Sequence, residues 1–234
     1  MFIMVSVVIP AYNEERYIKL CLAAFTKQTT KVPFELILVN NNSTDSTLEV
    51  ALTFKDKINL KIINEKKQGR GAARVTGFRK AKGSIILSTD ADTVVPRDWI
   101  KNMLKHFENP KVVAVTGPWK IRSRSKVRNF TAYHFQRLSL PCLNGLNFGI
   151  RKEIYDKVGG FDPTLKAQED IEITPRVRKL GKIKYSKDVV VLTSSRRYRN
   201  GLLKGLWDYQ KVSIYNFLLK DKSKTLPDVR NYII

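Results

Sequence analysis

The sequence has 234 residues, enough for one large domain, and its 43% apolar content excludes a disordered chain apart from the polar C-terminal tail. Forty-three Lys and Arg against 21 Asp and Glu give a net charge of +22, which suits a polyanionic partner: nucleic acid, acidic lipid headgroups or phosphorylated small molecules. Two cysteines without motif spacing, Cys21 and Cys142, exclude a disulfide scaffold and fit a reducing compartment.

The chain begins "MFIMVSVVIPAYNEE". Its apolar run is too short to span a bilayer and lacks the basic start and small-residue cleavage site of a signal peptide. We read residues 4–10 as a strand buried on both faces, because the run is continuous and β-branched. A helical pattern follows from Glu14 to Lys27, with Cys21 on its apolar side. "FELILVN" (34–40) is a second strand, and "STDST" supplies caps for the next helix. "NLKIINE" (59–65), the helical "GRGAARVTGFRKAKG" (69–83) and the strand "SIILST" (84–89) complete the first half.

The second half is less regular. Residues 95–107 read as a helix with Pro96 at its start. Residues 111–119 read as a strand, 151–161 as a short helix, 168–181 as a helix and 188–195 as a strand. In the 168–181 segment Thr174-Pro175 is the expected cap and first residue. Residues 120–148 are basic and have no clear pattern. Residues 201–220 are amphipathic. With no run of 18 apolar residues, the expected protein is soluble and cytoplasmic, or peripheral at the inner face of the membrane.

Strands alternating with 10–15-residue helices predict an α/β fold with a mostly parallel sheet and helices on both faces. Ligands bind such sheets at the C-terminal strand ends. Three polar clusters fall there: "AYNEE", "NNNSTD" and "DADT". In the last, Asp90 and Asp92 sit one residue apart and can reach one point past the strand. Two oxygen-donor side chains suit Mg²⁺ or Mn²⁺ with positions left for phosphate; the alternative is a capped turn. Glu169-Asp170 is either a helix cap or part of a site, following a loop rich in Gly, Asn and aromatics. Arg196-Arg197-Tyr198-Arg199 is either a solvated basic run or a phosphate clamp. His106 and His134 have no metal-ligand spacing, and His106 fits a helix surface. The signatures of nucleic-acid-binding modules are absent, so no nucleic-acid partner is expected. A sugar nucleotidyltransferase is a further rival, although its Gly-rich basic loop is missing after the first strand.

In this order "VSVVIPAYNEE", "ILVNNNSTDST", "GRGAARVTGFRKAKG", "STDADTVVP" and "GGFDPTLKAQED" resemble the family 2 inverting glycosyltransferases with the GT-A fold, over about residues 4–200. The resemblance implies a glycosyltransferase domain over 1–200, with a nucleotide-sugar half about 1–118 and an acceptor half about 119–200. Residues 201–234 form a helical extension. It implies that Pro10, Tyr12 and Glu14 line the nucleotide pocket and that Asn40 and Asn41 lie beside the base. Arg74 lies near the nucleotide. Asp90, Ala91 and Asp92 form the Asp-x-Asp motif for metal and nucleotide sugar. Asp170 is the catalytic base with Glu169 beside it, and Arg196 and Arg197 close over the diphosphate. The family usually has an Asp where this chain has Asn40 and Asn41. The implied partners are a nucleoside-diphosphate sugar and a glycan or lipid-linked acceptor. The basic amphipathic extension adds an anionic membrane.

Overall fold

Continuous apolar strands need cover on both faces, and the computed structural model supplies it. It describes residues 4–122, 142–198, 201–223 and 225–228. Most of the Arg122–Arg128 cluster, His134, Arg199 and the side chains of Leu202, Leu203 and Leu206 lie outside the described residues.

The first half is β1 (Val5–Ala11), α1 (Glu15–Phe25), β2 (Phe34–Asn40), α2 (Thr47–Leu52), β3 (Leu60–Asn64), α3 (Arg70–Lys80) and β4 (Ile85–Ser88). The second half is β5 (Thr93–Val94), α4 (Trp99–Phe107), β6 (Val112–Thr116), β7 (Trp119–Ile121), β8 (Phe148–Arg151), α5 (Lys152–Lys157), α6 (Glu169–Arg178), β9 (Lys182–Tyr185) and β10 (Val191–Thr193). A 3₁₀ turn (Arg196–Tyr198), α7 (Leu202–Ser213) and a π-helical turn (Ile214–Leu218) follow.

Among the described residues the main sheet has seven strands in the order β3-β2-β1-β4-β8-β6-β9. β1 pairs in parallel with β2 and β4, as β2 does with β3 and β6 with β9; β8 alone runs antiparallel, between β4 and β6. A small sheet, β5-β10-β7, lies beside it. Alternation along β1 separates the two cores. Val5, Val7 and Ile9 join a cluster with Ile18, Leu22, Phe25, Trp99 and Met103 from α1 and α4. Val8 joins the opposite cluster with Ala73 and Phe78 of α3, Tyr155 of α5 and Ile173 of α6. Cys21 is fully buried in the first cluster, as expected of a small core residue.

Four local expectations change. α4 starts at Trp99, not at Pro96, whose carbonyl instead accepts from Trp99 N (3.0 Å) and Gln28 Nε2 (2.8 Å). The expected strand 111–119 breaks into β6 and β7, and Gly117 between them packs so close to Val189 that a Cβ would come within 2.3 Å. The Gly/Asn-rich stretch hides β8, a four-residue strand too short to show a period. Thr174-Pro175 is not a cap: α6 already starts at Glu169 and Pro175 lies inside it. The helix runs on through Pro175, and the Thr174 hydroxyl is used elsewhere: it accepts from Leu143 N (3.0 Å) and donates to the carbonyl of Asp170 (2.7 Å).

Asn147 joins the two sheets. Fully buried, it accepts from Trp99 Nε1 (2.9 Å) through Oδ1, while its Nδ2 donates to the carbonyls of Pro118 (3.0 Å) and Val189 (2.6 Å). Asn147→Ala leaves the buried indole N–H and the Val189 carbonyl short of a partner, while the Pro118 carbonyl keeps Val191 N (3.2 Å). We expect a loss of about 3 kcal/mol in denaturant unfolding. A change under about 0.5 kcal/mol would show that these groups are satisfied without Asn147.

Candidate active site

The C-terminal ends of β1, β2 and β4 open onto two adjoining pockets, of about 490 and 230 Å³. The larger is lined by Pro10, Tyr12, Glu14, Asn41, Asp90, Ala91, Asp92, Arg196 and Arg197 among others. The smaller is lined by Arg74, Glu169 and Asp170, with Trp119, Tyr185 and Leu143. Asp90, Arg70, Leu146, Tyr198, Tyr209 and Leu226 line both. Every site residue expected from the sequence except Asn40 therefore borders this double cleft.

The acids are held by arginines in two chains. In the first, Arg74 Nη2 meets Asp90 Oδ1 at 2.5 Å and its Nη1 donates to Glu169 Oε1. Burial works against the charge on Asp90, but Arg74, Arg70 and Arg196 hold its carboxyl below the usual range. Gly145 makes room for this bridge, since a Cβ there would fall 2.5 Å from the Arg74 guanidinium. In the second, Arg196 donates to both Glu14 oxygens (2.8 and 2.6 Å), and its Nε lies 3.1 Å from Asp92 Oδ2. Ser194 Oγ donates to the same Asp92 oxygen at 2.5 Å. The Arg196 guanidinium also lies over the Tyr17 ring, 5.1 Å from its centre.

Asp170 differs from the others because, among the described residues, no arginine pairs with it directly. Its Oδ2 accepts from Gly145 N (2.5 Å) and its Oδ1 from Ile171 N (3.0 Å). Burial, then the neighbouring Glu169 charge, push its carboxyl up to about 6, against the opposing pull of Arg74. A carboxyl in that range accepts a proton readily near neutral pH.

Arg70 was not foreseen. It stands four residues before Arg74 on α3, so the two share a helix face, and helical spacing in "GRGAAR" would have found it. Asp90 and Tyr209 keep its guanidinium charged despite burial.

The asparagines after β2 are bound into the scaffold. Asn41 Nδ2 donates to the carbonyls of Glu65 and Lys67 (both 2.8 Å) and its Oδ1 accepts from Gly69 N (2.8 Å). Asn40 Nδ2 donates to Asn64 Oδ1 (3.1 Å) and its Oδ1 accepts from Ser43 N (3.2 Å). Arg197 donates to the Pro227 carbonyl (3.3 Å) and lies over the Tyr209 ring, which ties the 3₁₀ turn to the C-terminal segment. His106 packs at half exposure, with Nε2 2.9 Å from Ser186 Oγ.

Asp90 and Asp92 fit a hard divalent cation. Both offer oxygen only, and among the described residues Asp90 Oδ2 makes no hydrogen bond and no cluster of three His, Cys, Asp or Glu stands ready to enclose a metal. Such a donor set suits an ion that takes its remaining ligands from phosphate and water.

The raised Asp170 has a measurable cost. An acid whose folded value exceeds its unfolded one loses no stability at low pH. The loss starts as pH passes its ordinary value of 3.8 and is complete above about 6. Asp170→Asn should therefore be more stable than the parent at pH 7.5, by about 1–2 kcal/mol allowing for partial exposure, and gain less at pH 4.5. Denaturant unfolding at both values measures this; an equal difference at the two would contradict the burial argument.

Comparison with known proteins agrees with this geometry. The profile of Glycosyl transferase family 2 matches residues 6–166. The probable glycosyltransferase YdaM of Bacillus subtilis (strain 168) is 31% identical over 198 residues, covering 76% of this chain and 47% of YdaM. Glycosyltransferase AglE of Haloferax volcanii is 31% identical over 199 residues, covering 80% of this chain and 65% of AglE. The chain thus spans about half to two thirds of these relatives. Among solved structures, the mannosyltransferase PcManGT of Pyrobaculum calidifontis, in complex with GDP-Man and Mn²⁺, superposes with a TM-score of 0.71 at 22% identity over 95% of this chain and 65% of that one. S. aureus TarS 1–349 with UDP-GlcNAc superposes with a TM-score of 0.69 at 21% identity, over 82% of this chain and 59% of that one. These likenesses establish the GT-A-type fold, and by the family match the chain is a member of glycosyl transferase family 2.

Proposed function

We propose that this chain transfers a sugar from a nucleoside-diphosphate sugar to an acceptor hydroxyl with inversion at the anomeric carbon. The observation that carries the reading is the double cleft: Asp90 lines both pockets, and Asp170, raised toward neutrality, lies in the second. The larger pocket is the donor site and the smaller one receives the acceptor. The ligands bound in the two structural neighbours, GDP-Man and UDP-GlcNAc, are donors of this class.

In this reading Asp90 and Asp92 hold Mg²⁺ or Mn²⁺, which when bound would offset charge on the departing diphosphate. Arg70 lines both pockets and supplies fixed positive charge beside the leaving group. Arg196 and Arg197 stand on the wall of the donor pocket and orient the diphosphate. Asp170 takes the proton of the acceptor hydroxyl as that oxygen attacks from the face opposite the diphosphate. Its hydrogen bonds from Gly145 N and Ile171 N aim the carboxylate. Glu169 is spent on Arg74 and keeps that cation beside the base.

A donor panel of UDP-N-acetylglucosamine, GDP-mannose and related sugar nucleotides, each with Mg²⁺ or Mn²⁺, tests the proposal through nucleoside-diphosphate release. Asp170→Asn should cut kcat by about 100-fold or more while donor affinity changes only by the few-fold that a lost neighbouring charge gives. Pyrophosphate release in its place would point to nucleotidyl transfer.

We also propose that the acceptor is lipid-linked or membrane-proximal and that α7 and the π-helical turn after it rest on an anionic membrane. The two faces of this stretch support this. Gly205, Val212 and Asn216 are buried against the domain. Trp207 (62% exposed), Ile214, Phe217, Leu218 (75% exposed) and Leu219 point to solvent, with exposed Lys204, Lys211, Lys220 and Lys222 nearby. No helix among the described residues is long and apolar enough to cross a membrane. Trp207→Ser/Leu218→Ser should lower co-sedimentation with phosphatidylserine vesicles by about tenfold and leave donor affinity intact. Equal sedimentation of parent and variant would remove the helix from the membrane role.

A further inference from the structure

The residue before the Glu169-Asp170 pair has an unusual backbone. Gln168 has φ 67°, in the left-handed region that a residue with a Cβ enters only under strain. It is buried, and its side chain is fully engaged. Nε2 donates to the Tyr209 carbonyl (2.9 Å) and to Ser213 Oγ (2.7 Å), both on α7. Oε1 accepts from Asn216 Nδ2 (3.4 Å), which also donates to the Ala167 carbonyl (3.0 Å). Ala167, Val212 and Leu226 pack together beside these bonds. Among the described residues the Asn216 Oδ1 is buried without a partner.

The position of this clamp gives it a role in catalysis. Gln168 caps α6, and its carbonyl receives the amides of Ile171 (3.1 Å) and Glu172 (3.0 Å). Its backbone therefore sets where the first turn of α6 begins and where Asp170 projects. Among the described residues, Asp170 is otherwise aimed by two backbone amides, Gly145 N and Ile171 N. Gln168, Tyr209 and Ser213 line the same pocket as Asp170.

We propose that Gln168 is a positioning residue that locks the start of α6 to the C-terminal helix and thereby fixes the Asp170 carboxylate toward the acceptor. The inference rests on Asp170 being the base. It makes residues 205–216 part of the catalytic architecture and not only an appendage.

Gln168→Gly separates conformation from clamp, because glycine keeps the left-handed backbone and deletes the side-chain bonds. Asn216→Ala loosens the same clamp from the helix side. In the full chain, with the UDP- and GDP-sugars of the panel and Mn²⁺, both variants should lose about tenfold or more in kcat for nucleoside-diphosphate release. Donor affinity should change less than about twofold, a split that general unfolding would not give. Amide exchange over residues 167–172 reads the clamp without any donor and should quicken by about tenfold in both variants. If Gln168→Gly does not fold, Asn216→Ala decides. Unchanged kcat together with a crippled Asp170→Asn overturns the positioning role alone. Full turnover in Asp170→Asn overturns the base assignment and this inference with it. Unchanged amide exchange overturns the clamp.

Discussion

A carboxylate buried in this cleft either gains a cation or holds its proton more tightly, and the site is built around that constraint. Glu14, Asp90, Asp92 and Glu169 are each paired with Arg74 or Arg196 inside a protein wall. A buried acid left unpaired is pushed toward its protonated form. Arginines hold the Asp90 carboxyl below its usual range, while Asp170, with no such pair among the described residues, is pushed up. The net charge of +22 extends the same bias over the chain, so an anionic ligand meets a favourable field before it reaches the cleft.

The topology brings these groups together. Residues after β1 and β4 come from the first half of the chain, while Gly145, Asp170 and Arg196 come from the second. They meet because β8 runs antiparallel between β4 and β6. The residues preceding β8 therefore arrive at the edge where the parallel strands end. Ser88 Oγ, at the end of β4, donates to the Gly145 carbonyl (2.8 Å) across that junction. The loops after β1 and β2 are locked in the same way: Asn13, with a left-handed backbone, accepts from Thr44 N (2.8 Å) and donates from its own amide N to Ser43 Oγ (3.1 Å).

The legible parts of the sequence were those with a long apolar signal. β1, β2 and β4 carry continuous β-branched runs, and each is followed by the polar cluster that the cleft uses. Elements without an unbroken apolar run left no such trace: β5 has two residues, and β8, as long as β4, is interrupted by Gly149 and ends in Arg151. Pro175 argued for a helix start, yet α6 begins at Glu169 and runs through it, and the Thr174 hydroxyl expected as a cap is taken by Leu143 N, 31 residues away, which is tertiary context overriding propensity. The clamp at Gln168 could not be read at all. Its partners lie more than forty residues away, and nothing in "AQED" marks a left-handed residue.

Arg74 is one cation shared by two pockets. Its charge acts on Asp90, which lines both pockets, and on Glu169 and Asp170 in the smaller one. Whatever alters the charge around Asp90 therefore alters the field felt by the proton on Asp170. Thermodynamic linkage makes the effect reciprocal: the factor by which a ligand in the larger pocket shifts protonation next door is the factor by which protonation shifts its occupancy. On the proposed reading, the pH dependence of nucleotide affinity, measured with no acceptor and no turnover, reports on a group that the nucleotide does not touch.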